Sequence, residues 1–61
     1  MKMETLESIK QLVAELEVDT NKFFQKGNNS AGTRARKTSQ SIKAALQQLR
    51  EEIINHRKSQ A

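Results

Sequence analysis

Two long stretches of this chain carry apolar side chains at intervals of three and four residues, and one short break, KGNNSAGTRARK from Lys26 to Lys37, separates them. At 3.6 residues per turn, such spacing lines one face of a helix. The first stripe is Leu6, Ile9, Val13, Leu16, Thr20 and Phe23, widened by Leu12 and Phe24. The second is Ala35, Thr38, Ile42, Ala45, Leu46, Leu49, Ile53 and His56. Proline is absent, and the two glycines, Gly27 and Gly32, both fall in the break, so nothing inside either stretch stops a helix. Gly27 suits the left-handed position after a helix end, and Asn29 or Ser30 suits the cap of the next helix. The expected fold is all-α: a two-helix antiparallel hairpin, about 4–25 and 31–57, forming a single domain over 1–61, with Lys58 to Ala61 fraying.

A chain of 61 residues buries little of its own surface, and a hairpin has one internal seam. Each stripe is wider than one seam can cover. Pairing two hairpins into an antiparallel four-helix bundle buries the remainder, so a homo-oligomer is expected, with a dimer favoured over higher coiled-coil orders. Leu6, Ile9, Val13, Leu16, Phe23, Ile42, Leu46, Leu49 and Ile53 are the expected core or oligomer contacts.

Catalysis has little to stand on. The chain has one histidine and no cysteine, and a hairpin offers no enclosed pocket to perturb a pKa, so a non-enzyme with no cofactor and no small-molecule substrate is expected. His56 with Glu52 at helical spacing makes at most two metal ligands, and the simpler reading is a half-buried histidine closing the seam; no metal is expected. No apolar run reaches the ~18 residues of a membrane span, and the first residues do not form a secretory segment. With no cysteine besides, the reading is a soluble cytoplasmic protein.

Charge is the informative property. The net charge is +4, but residues 1–26 set Lys2, Lys10, Lys22 and Lys26 against Glu4, Glu7, Glu15, Glu17 and Asp19, whereas the remainder holds seven cations against Glu51 and Glu52 alone. Arg36, Lys43, Arg50 and Arg57 recur every seven residues and form a slowly drifting line beside the second stripe. Their bland role is a coiled-coil flank paired with Glu17 or other acids of a neighbouring helix, a role that suits Arg50, with Glu51 and Glu52 beside it, better than Arg36 or Lys43. Arg34, Arg36 and Lys37 open the second helix, where the macrodipole opposes cations, so an anion should compensate them. A phosphate fits, held by Lys26, Arg34, Arg36, Lys37 and Lys43, with Asn28, Ser30 and Thr33 as short polar contacts and Arg50 and Arg57 as secondary ones. The break is not a nucleotide loop, because Gly32 is followed by Thr33 and Arg34 where that motif needs lysine. Without Tyr or Trp, and with Phe23 and Phe24 assigned to the core, stacking on single-stranded bases is not expected. Duplex DNA read through its backbone is the expected partner, with RNA the related alternative.

KGNNSAGTRARK, followed by SIK and LREEI, resembles the chlamydial histone-like, or linker-histone-like, bacterial nucleoid proteins. The resemblance spans Lys26 to Ile54 and rests on Lys26, Gly27, Asn28, Ala31, Arg34, Arg36, Ser39, Arg50 and Glu52, while Asn29, Lys37 and Lys43 fall at variable places. The first helix matches only as a generic amphipathic segment. The resemblance implies sequence-tolerant DNA binding and a part in organising or compacting the nucleoid. Its chlamydial members continue into a long lysine- and alanine-rich tail, whereas this sequence ends at Ala61, so condensation by a disordered tail is not expected. The alternative is a helical interaction or assembly module whose basic face meets an acidic protein.

Overall fold

The computed structural model describes residues 3–60, which form two α-helices, α1 (Glu4–Lys26) and α2 (Asn29–Gln60), joined by Gly27 and Asn28. The all-α hairpin is as expected, with α2 longer at both ends than its apolar stripe implied. Lys58 to Gln60 continue the helix instead of fraying, and Ala61 lies outside the described residues.

Local chemistry explains the ends. Glu4 and Glu7 stand in the first turn of α1 and Lys26 in its last, charges that complement the macrodipole. Gly27 adopts φ 66°, the left-handed conformation that costs a residue with a Cβ about 1–2 kcal/mol. Its N–H donates to the Phe23 carbonyl at 3.1 Å, and the Asn28 N–H reaches the Lys22 carbonyl at 3.3 Å, so the final turn of α1 is closed. The cap of α2 is Asn28, one residue earlier than expected: its side-chain oxygen accepts from the Ala31 N–H at 3.1 Å, three residues on. Asn29 and Ser30 are already inside the first turn.

Helix packing follows a strict heptad. Thr5, Ile9, Leu12, Leu16 and Asp19 on α1 face Ala31, Ala35, Thr38, Ile42, Ala45, Leu49 and Glu52 on α2, and all are buried or half-buried. Only Ile9 and Ala31 are buried among the described residues. Polar contacts close both ends of this seam. At the open end the Thr5 hydroxyl donates to Glu52 Oε2 at 2.8 Å, and Gln48 Nε2 donates to the same oxygen at 3.0 Å. At the hinge end Arg34 meets Asp19. Beyond that pair, next to the turn, the helices approach closely where α2 is small: a Cβ on Gly32 would lie 2.5 Å from Cδ1 of Phe23.

The seam is narrower than the sequence stripes. Leu6, Ile9, Leu16, Ile42 and Leu49 are in it or at its edge, but Val13, Leu46 and Ile53 stand on its flank, each about half exposed, and Phe23 closes the hinge end while remaining 37% exposed. At ~1.5 Å per residue α2 is ~48 Å long and α1 ~35 Å, so α2 runs past the start of α1. His56 occupies the next seam position on that overhang and has no α1 residue opposite it. It is therefore exposed, not half-buried, and its Nε2 lies 3.0 Å from Gln60 Nε2.

Candidate nucleic-acid interface

The cations divide into two groups by helical position. Arg34 points across the hinge: its Nε donates to Asp19 Oδ1 at 3.2 Å, and its NH2 group lies 3.2 Å from the same oxygen. The Asp19 side chain is 14% exposed and that of Arg34 is 51% exposed. Part of the anion expected at the start of α2 is thus supplied by α1, and Arg34 begins with its charge partly satisfied. No acidic residue occupies the first turn of α2, so this carboxylate acts from the neighbouring helix.

Arg36, Lys43, Arg50 and Arg57 each follow a seam position, Ala35, Ile42, Leu49 or His56, by one residue. That places all four about 130° from the seam centre, on the outer surface of α2, with ~10.5 Å between neighbours and ~32 Å from first to last. All four are exposed, and among the described residues none forms an ion pair. Neither Glu17, Glu51 nor Glu52 holds Arg50. Lys37 is also exposed and lies with Arg36, Thr33, Ser39 and Gln40 around a shallow depression on the same outer surface.

The polar residues of the hinge are mostly engaged locally. Asn28 caps α2, and Thr33 Oγ1 donates to the Asn29 carbonyl at 3.3 Å. Ser30 and Lys26 are exposed. Neither Asn28 nor Thr33 therefore stands as an unengaged contact, whereas the seven-residue line of α2 does. Sequence reasoning missed Asp19, because its partner is fifteen residues away across a turn and no helical spacing links them.

Among the described residues there is no group of three or more potential metal ligands, and no helix is long and apolar enough to cross a membrane.

The histone H1-like protein Hc1 family model matches residues 3–59. The chain belongs to this histone H1-like family. The Hc1 match takes in α1 and nearly all of α2, so the likeness seen from Lys26 to Ile54 extends over the whole hairpin. No curated protein and no solved structure gives a match.

Proposed function

We propose that this Hc1-family hairpin is a non-catalytic nucleoid protein of the cytoplasm that binds duplex DNA with little sequence preference through the outer surface of α2. The observation that carries the reading is the line Arg36, Lys43, Arg50 and Arg57, exposed and without ion-pair partners among the described residues on a rigid helix. Its cations stand ~10.5 Å apart along one face, so several reach phosphates of one duplex where the rigid helix crosses the backbone. Lys37 and Lys26 extend the positive surface toward the hinge, and Arg34 joins it when Asp19 yields. Binding of this kind is driven by counterion release and reads the backbone, not base edges.

The same reading gives a use to the exposed flank. Leu6, Val13, Leu46 and Ile53 each follow a seam residue by one position, which in an antiparallel pair puts them on one side of the hairpin. A second copy packed over that side completes a four-helix bundle, with Lys43, Arg50 and Arg57, each one turn from Leu46 or Ile53, along its solvent-facing rim.

Fluorescence anisotropy with a labelled duplex over a salt series tests the interface. With three to five phosphates neutralised, log affinity should fall against log salt with slope about −3 to −4.5. The triple charge reversal Arg36→Glu, Lys43→Glu and Arg50→Glu should abolish binding while circular dichroism shows an intact helix. Retained affinity in that variant would sink the assignment. A duplex RNA competitor of equal length separates the two polymers, because the deep, narrow A-form major groove offers a helix a different surface.

A further inference from the structure

We infer that Phe24 is a wedge that enters a base step of the bound duplex, so that this protein deforms DNA where its hinge meets it. The inference deepens the DNA-binding reading and rests on it.

Phe24 is 77% exposed, more than any other large apolar side chain among the described residues. Its position explains why. It follows the seam residue Phe23 by one and so lies on the outer part of α1, beyond the flank formed by Leu6 and Val13. It is also not a loose side chain. Its ring meets that of Phe23 edge to face, with centroids 5.0 Å apart and planes at 80°, and Phe23 in turn lies against Gly32 of α2. An aromatic ring held out from the surface by a second, anchored ring loses little freedom on insertion, which is the property a wedge needs.

The surroundings select the ligand. Phe24 shares a groove of about 500 Å³ with Thr33 and Arg36, and Arg36 shares the adjoining depression with Lys37. An uncovered ring beside a guanidinium and an ammonium matches a base step between two phosphates: the cations hold the backbone, and the ring occupies the gap opened between bases. A second copy of this chain is a poorer occupant. The apolar flank that would bind it is centred on Val13 and Leu46, away from the hinge.

The chain has neither tryptophan nor tyrosine, so Phe24→Trp introduces a unique fluorophore at the proposed point of insertion. Titration with an unlabelled 20-base-pair duplex at low salt should quench this tryptophan at least about twofold, as stacking on bases does, while a tryptophan at the exposed Val18 should stay nearly unquenched. In parallel, nicked circles sealed by ligase in the presence of the unsubstituted protein should show an altered linking number. Phe24→Ala should still bind, about tenfold more weakly because the stacked ring is lost, yet leave the linking number unchanged, because phosphate contacts supply most of the affinity. Saturated binding with an unquenched Phe24→Trp removes the wedge and leaves the DNA interface standing. Equal quenching at both tryptophans, or a Phe24→Ala protein that still changes the linking number, also overturns it. Failure of the unsubstituted protein to bind duplex removes both readings together.

Discussion

Asp19 is the residue whose environment most alters the charge argument. A carboxylate in the seam would be costly without a partner, and the guanidinium of Arg34 supplies one from the opposite helix. Because Arg34 is half exposed, this pair adds no more than about 1 kcal/mol to folding. Its larger effect is on binding, since it occupies a cation that phosphate would otherwise use. Asp19→Asn should therefore leave the hairpin folded and raise duplex affinity several-fold. With Arg34 released for a further phosphate, the log–log salt slope should become steeper by about 0.9. Anisotropy titrations at four or five salt concentrations measure both quantities. A higher affinity with an unchanged slope would mean that Arg34 stays out of the interface and that only the net charge changed.

At the scale of the elements, the hinge end depends on Gly32 being glycine. An ordinary Gly→Ala change in a helix interior stabilises by about 1 kcal/mol. Here the new Cβ would stand 2.5 Å from one atom of the Phe23 ring and 2.8 Å from another, so the helices must part or the ring must turn. Gly32→Ala should instead destabilise by about 1–2 kcal/mol, the usual penalty of overpacking, and in a Phe23→Ala background the same change should recover its stabilising sign. Urea unfolding of the four proteins in that cycle gives the answer. Helix number and hinge were legible in the chain, because 3.6-residue periodicity and the absence of proline leave few alternatives. The seam's centre was not. Hydropathy ranks Leu6 and Val13 with Leu12 and places Thr5 and Asp19 among surface residues, so the stripe reads one position off its true axis. Thr5 and Asp19 lie in the seam because Glu52 and Arg34 meet them across it, and a contact between helices leaves no mark at local spacing. The cationic line was legible for the opposite reason: a seven-residue repeat on one helix needs no partner to be seen. Phe24 was misjudged because apolarity alone cannot tell the edge of a stripe from a side chain beyond it.

For the whole molecule, surface and shape bear on the proposed pairing of two hairpins. A compact chain of 6.9 kDa exposes ~4,000 Å², whereas this hairpin exposes 5163 Å². Its radius of gyration is 14.9 Å against ~10.5 Å for a globular chain of this length, and its extents are 51 × 15 × 11 Å. The excess is comparable with the ~800 Å² that each partner buries in a standard interface. Charge favours the same solution, since α1 is acid-rich and α2 basic, and a second hairpin can set its α1 beside the first one's α2. Leu46→Glu places a carboxylate in the middle of the flank, 45% exposed in the hairpin, where a lone hairpin tolerates it and a bundle does not. Sedimentation at micromolar concentration should give a dimer mass for the unsubstituted chain and a monomer mass for Leu46→Glu. The new carboxylate also stands one turn from Lys43 and Arg50 and pairs with one of them, so the monomer should still engage duplex with a slope shallower by about 0.9 than that of one intact binding unit, and affinity for long DNA is reduced further by the loss of the second contact. Dimer and monomer also differ in what they can do to DNA. A dimer carries a cationic ridge from each copy along its rim and so joins separate duplexes; unsubstituted protein should pellet mixed long and short duplexes together at low speed, and Leu46→Glu should bind both without joining them. Co-sedimentation by the monomeric variant would show that bridging does not need the second hairpin, and the apolar flank would then have to be assigned to another partner.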